Sequence, residues 1–225
     1  MTIGLRVLAR RRKVDADTVA KFRSLPVANV SDVMSRMSAG GPRLRPLHAG
    51  GVMAGPALTV KTRPGDNLMI HKALLMVERG DVIVVDAGGD LTTALVGELM
   101  ISHAIAVGAA GMVINGAVRD YGWIKSNSFP VFAAGVTHRG PYKDGPGEIN
   151  VPVSFGGMVI QPGDLILGDA DGCLCVPLSD VEAVYQATVA KNEAEVQMMD
   201  DIANDRLDIS WIDRTLAERG CEIMK

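Results

Sequence analysis

No apolar run in the 225-residue chain approaches the roughly twenty residues that cross a bilayer, and residues 1–8 lack the long apolar stretch of a secretory leader. A soluble, cytoplasmic protein without membrane contact is expected. Basic excess is also missing. The net charge is −3 and the sequence pI about 5.8, which argues against a nucleic-acid surface. The single basic run, Arg10-Arg11-Arg12-Lys13, reads as a solvated face near a terminus. Three cysteines, Cys173, Cys175 and Cys221, form neither a disulfide framework nor a zinc spacing and read as buried free thiols. His48, His71, His103 and His138 show no ligand spacing. Internal repeats, low-complexity tracts, a Gly-x-Gly-x-x-Gly fingerprint and a lysine-bearing phosphate loop are all absent, so a nucleotide site has no support.

The remaining composition is that of one globular α/β domain spanning residues 1–225, with 48% hydrophobic and 22% charged residues. Apolar spacing predicts helices over residues 15–23, 30–37, 68–77, near Trp123 and Ile124, and a long one over 179–204. Strands are expected at 55–62, 82–85, 112–114 and 131–133, then at 151–155, 157–160, 164–167 and 172–176. The polar run 139–146 reads as a loop. This mixed order implies a central β-layer flanked by helices.

One unit stands out. A glycine-rich bend at Gly88-Gly89 leads to Gly97-Glu98-Leu99-Met100, which opens an apolar-spaced helix ending at Gly108. A short buried strand follows, and then Gly116-Ala117-Val118-Arg119-Asp120. The interval between Glu98 and Arg119 is the length of one helix, a turn and a strand, so folding brings the two ends together. Unpaired N–H groups at the helix start suit a carboxylate or phosphate. An adjacent Arg and Asp offer an anion-gripping fork beside a ligand for a hard cation.

These motifs, together with Pro64-Gly65-Asp66-Asn67, the segment 80–86 and Pro162-Gly163-Asp164, resemble the RraA-like superfamily over most of the chain. Its enzyme branch comprises class II 4-hydroxy-4-methyl-2-oxoglutarate aldolases that also decarboxylate oxaloacetate. Another branch is a non-catalytic regulator of ribonuclease E. The resemblance implies a swivelling β/β/α-type core over about residues 27–200, with residues 15–23 and 205–225 peripheral, assembled as trimers or hexamers. It also implies a divalent-metal-dependent lyase that releases pyruvate from a 2-oxo acid. Methyl transfer to a quinone, a label sometimes attached to the superfamily, lacks a matching S-adenosylmethionine loop.

In that reading the amides of Gly97, Glu98, Leu99 and Met100 grip the substrate carboxylate. Asp120 binds Mg²⁺ or Mn²⁺ directly, and Arg119 stabilises the enolate oxygen. Glu98 falls where the family places an acid holding a metal-bound water. Helix capping accounts for Glu98 equally well. Glu195 from a neighbouring subunit, or else Glu193, matches a further acid, and a solvated helix face is the alternative. Asn67 either lines the pocket or forms a turn, and His71 either approaches it or lies on a helix face. Where aldolase-branch sequences often carry an acid, this chain has Trp123, which either shapes the pocket or packs under the sheet.

Overall fold

Nine of the ten residues of β3 (Met53–Thr62) are buried, and this strand organises the computed structural model, which describes residues 3–223. Strands β4 (Val82–Asp86), β6 (Gly111–Val118) and β7 (Val131–Val136) follow it in parallel register, β4 and β6 buried on both faces and β7 over its first half, as their near-continuous apolar composition requires. Around this core lie β1 (Leu5–Val7), β2 (Arg45–Pro46), β5 (Ala94–Val96) and β8 (Gly147–Ile149), joined by β11 (Leu165–Gly168) and β12 (Cys173–Val176) in one ten-stranded sheet. A separate hairpin pairs β9 (Val153–Phe155) with β10 (Met158–Ile160).

Side chains alternate between the two faces with the strand period. On one face Leu58, Val60, Ile83, Val85, Met112 and Ile114 pack against α3 (Leu68–Leu74) and α4 (Glu98–Ala106). On the other, Ala57, Val82, Val84 and Phe132 meet Phe155, Met158, Ile160, Cys173 and Cys175. A third apolar cluster joins α1 (Ala16–Phe22), α2 (Val27–Val33), β11, β12 and the first turns of α6 (Val181–Ala203). Asp15 caps α1 by accepting the Thr18 N–H at 2.8 Å. Contacts divide the chain into two compact units, up to Thr188 and from Val189. The second holds the rest of α6 and α7 (Ser210–Glu218), in which no residue is buried.

Several expectations are corrected. The second helix starts three residues earlier than expected and stops at Val33, because Ser35 and Arg36 take positive φ values of 57° and 61°. The strand expected at 112–114 continues to Val118, drawn on by pairing with β5 and β7. Arg10 is not solvated. Its side chain is 5% exposed and grips the fully buried Asp81 at 2.8 Å, supplying the counter-charge that a buried carboxylate demands. Cys173 and Cys175 are buried as expected, and burial pushes the Cys173 thiol up to about 12. Cys221, beyond α7, is exposed. No helix among the described residues is long and apolar enough to cross a membrane.

Candidate active site

Parallel pairing of β5 with β6 sets Val96 opposite Val118, so the chain leaves both strands at one place. Gly97 and Glu98 then open α4, while Arg119 and Asp120 open the short helix α5 (Tyr121–Ile124). The Arg119 N–H donates to the Val96 carbonyl at 3.0 Å and ties the two exits together. The 98-to-119 interval therefore joins these residues as its length implied.

Asp120 sits in the left-handed region (φ 59°, ψ 36°), and this turns its side chain back onto α4. Its Oδ2 accepts the Glu98 N–H at 2.9 Å, and Arg119 Nε lies 3.6 Å away. Asp120 thus caps α4 from a neighbouring strand. Gly97 allows the approach, because a Cβ there would collide with Asp120 Oδ2 and stand 2.8 Å from Arg119 Cγ. The Ile101 N–H bonds back to the Gly97 carbonyl. Among the described residues, the N–H groups of Leu99 and Met100 have no hydrogen-bond partner and carry the positive end of the helix dipole. Of the four amides expected to grip an anion, that of Glu98 is taken by Asp120, while those of Leu99 and Met100 stay open at the first turn of α4.

These groups border a cleft of about 250 Å³. Gly97, Leu99, Met100 and Arg119 form one side, Asn67 and His71 another, and Gly140, Pro141 and Lys143 the rim. Asn67 is 2% exposed, and its side chain makes no cap bond to α3. It reaches across instead, donating from Nδ2 to the Leu95 carbonyl at 2.9 Å. Its turn reading gives way to the pocket reading. His71 is half-buried on the cleft wall. Burial, then the charges of Lys143 and His103, hold its pKa below the ordinary histidine value.

Lys143 had no recognisable signal, since it lies in a polar loop whose return path is a tertiary property. That path is fixed by Asp66, which is fully buried. Asp66 Oδ2 accepts the N–H groups of Asp144 at 2.7 Å and Gly145 at 2.9 Å, and Oδ1 accepts that of Leu68 at 2.9 Å. Burial pushes its pKa up, but these bonds and Arg63 outweigh that and hold the carboxyl below its usual range.

Glu98 is exposed at the start of α4, and its backbone rather than its side chain meets Asp120. Neither Glu98 nor Asp120 contributes to the cleft wall. Glu195 lies in the second unit, where Lys191 pairs with it at 2.7 Å, and Glu193 lies on the same stretch of α6. Trp123 is partly buried against the apolar core, which favours packing over pocket-shaping. No group of three metal-type side chains occurs among the described residues. The donor set is one carboxylate with a single oxygen engaged and a second acid nearby. It fits a hard cation that keeps most of its waters and does not fit a closed site such as structural zinc.

Comparison with known proteins places these residues among relatives. The profile of the RraA-like family, described as Aldolase/RraA, matches residues 27–175. A Halalkalibacterium halodurans protein, provisionally named 4-hydroxy-4-methyl-2-oxoglutarate aldolase, is 39% identical over 194 residues, 86% of this chain and 90% of the relative. An uncharacterised Pseudomonas syringae protein superposes with a TM-score of 0.76 at 25% identity, covering 85% of this chain and 94% of the other. Streptomyces coelicolor RraAS2, described as an unusual member of the RNase ES inhibitor RraA family, gives 0.73 at 26%, covering 82% and 96%.

Proposed function

Because this chain belongs to the RraA-like family of Aldolase/RraA proteins, we propose that it is a divalent-metal-dependent lyase cleaving a C–C bond of a 2-oxo acid to release pyruvate. The observation that carries this reading is the pair of unpaired amides at Leu99 and Met100 beside Arg119 on one cleft wall. A 2-oxo acid presents a carboxylate next to a carbonyl, and this wall offers two N–H donors next to a guanidinium. A surface that only masks another protein needs neither. The name of the 39% identical relative supports the same reading.

The chemistry assigned to each residue follows from its position. Leu99 and Met100 N–H groups take the carboxylate and fix the substrate's orientation. The planar guanidinium of Arg119 stabilises the negative charge that builds on the 2-oxo oxygen as the C–C bond breaks. Asp120 offers the carboxylate oxygen not bonded to the Glu98 N–H as the cation ligand. When bound, Mg²⁺ or Mn²⁺ supplies Lewis-acid polarisation of the same carbonyl. The hydroxyl proton of a cleaved 4-hydroxy-2-oxo acid passes to water as its carbon becomes a carbonyl, and the enolate carbon takes a proton from a water held by the exposed Glu98 carboxylate, giving pyruvate.

The test is pyruvate release from oxaloacetate and from 4-hydroxy-4-methyl-2-oxoglutarate, coupled to lactate dehydrogenase, with Mg²⁺, with Mn²⁺ and with a chelator. Turnover that needs metal and disappears in Asp120→Ala is the expected result. Turnover of neither compound by the folded protein would refute the reading and favour a regulatory, protein-binding role like that of the ribonuclease inhibitors among its relatives.

A further inference from the structure

Asn67 lines the cleft and takes no part in the proposed chemistry. Its Nδ2 is committed to the Leu95 carbonyl at 2.9 Å and also touches Met100 Sδ at 3.1 Å. That contact fixes the amide's orientation, since a flip would press Oδ1 against a carbonyl oxygen. Oδ1 is left buried with no hydrogen-bond partner, on a residue that is itself only 2% exposed and lines the cleft. A buried acceptor is costly to leave unmade. The donors that share the cleft, His71 and Lys143, do not reach it.

The wall therefore pairs an anion grip at Leu99 and Met100 with one acceptor that asks for a donor. Oxaloacetate brings only acceptors as its dianion. A 4-hydroxy-2-oxo acid brings the same carboxylate and carbonyl plus an O–H. We infer that Asn67 is a specificity residue that accepts a hydrogen bond from a substrate hydroxyl and selects hydroxylated 2-oxo acids over hydroxyl-free ones. The inference rests on the lyase reading for its substrate class, but the hydroxyl preference is measurable without turnover.

The experiment is calorimetric titration of the full chain with 2-hydroxyglutarate and with glutarate, in wild type, Asn67→Ala and Asn67→Asp. Either carboxylate of 2-hydroxyglutarate can occupy α4, which offers the hydroxyl near or far along the chain. Wild type is expected to prefer the hydroxylated acid by at least about tenfold. In Asn67→Ala the ratio falls toward one. Asn67→Asp keeps an oxygen acceptor, so its preference survives although its added charge weakens both ligands, and it carries the test if the alanine variant does not fold. In parallel, kcat/KM for 4-hydroxy-4-methyl-2-oxoglutarate relative to oxaloacetate drops by at least about tenfold in Asn67→Ala. Equal affinity of wild type for the two acids, or a preference that persists in Asn67→Ala or is lost in Asn67→Asp, overturns the inference. Discrimination without turnover refutes the lyase reading alone, and turnover with a ratio blind to Asn67 refutes the specificity role alone.

Discussion

Gly97→Ala isolates the contact on which the proposed site depends. Gly97 has extended backbone (φ −153°, ψ −165°), so alanine brings no conformational penalty of its own. What it brings is a methyl group in the space held by Asp120 Oδ2, with Arg119 Cγ 2.8 Å away. Relieving the clash displaces the Asp120 carboxylate by roughly 1 Å, and a shift of that size at a reacting centre costs about 100-fold in rate. The move also breaks the 2.9 Å bond from the Glu98 N–H, a charge-assisted bond of about 1.5–3 kcal/mol. Glu98 is exposed and water replaces the carboxylate there, so most of that stability returns and Tm falls by no more than about 5 °C. The assay is metal-dependent pyruvate release together with thermal unfolding of the same preparation. A fall of about 100-fold in kcat/KM with a near-native Tm is expected. A kcat/KM within threefold of wild type would refute the assignment of Arg119 and Asp120 as the reacting pair.

Two further predictions concern the cleft's other walls. Asp66→Asn turns an amide NH₂ toward backbone N–H donors that the carboxylate now accepts, and costs about 3 kcal/mol. Tm is then expected to fall by about 6–12 °C with a raised KM as Lys143 loses its anchor, while an unchanged Tm would show that the loop is held by something else. Because the Asp66 pKa is depressed in the folded state, its contribution is present above the ordinary carboxylate value and lost as pH falls through the depressed one, so the deficit of the variant vanishes in strong acid. His71 runs the other way. Its depressed pKa means that the unfolded chain takes up the proton first, so stability is lost as pH falls below 6.5, and His71→Asn flattens that decline in a urea titration series. A bound anion favours the protonated ring, so the same variant should also remove any tightening of dicarboxylate binding between about pH 7.5 and 6.

The parts of this protein that could be read from its sequence are those in which cause and effect are local. The buried strands expected at 82–85 and 112–114, the cores of β4 and β6, announce themselves because a parallel strand covered on both faces is apolar, whereas the extension of β6 past Asn115 is a product of pairing. The start of α4 was legible because glycine, an acid and an apolar period coincide. β1, β2, β5 and β8 were missed. Each has two or three residues, too few for a period, and each exists only because a neighbouring strand pairs with it. Lys143 was obscure, and Asn67 undecided between pocket and turn, for a related reason. Both are brought to the cleft by the buried carboxylate of Asp66, and its preference for the loop at 144–145 spans nearly eighty residues of chain.

Asp120 shows why a motif and a site are different things. As sequence, Arg-Asp after a strand suggests an anion-gripping fork beside a ligand for a hard cation. In the folded chain the aspartate first serves its neighbour, taking the Glu98 N–H and so withdrawing one amide of the helix start from any ligand. That use of Oδ2 leaves the Leu99 and Met100 amides open at the first turn of α4 and ties the Asp120 carboxylate to the helix start. Under the proposed function, a cation held by Asp120 would be placed relative to those amides through that hydrogen bond. The two chain exits are thus tied at two points, Arg119 N–H to Val96 and Glu98 N–H to Asp120, and the proposed reaction, which must align a carboxylate, a carbonyl and a breaking bond, would gain from that rigidity.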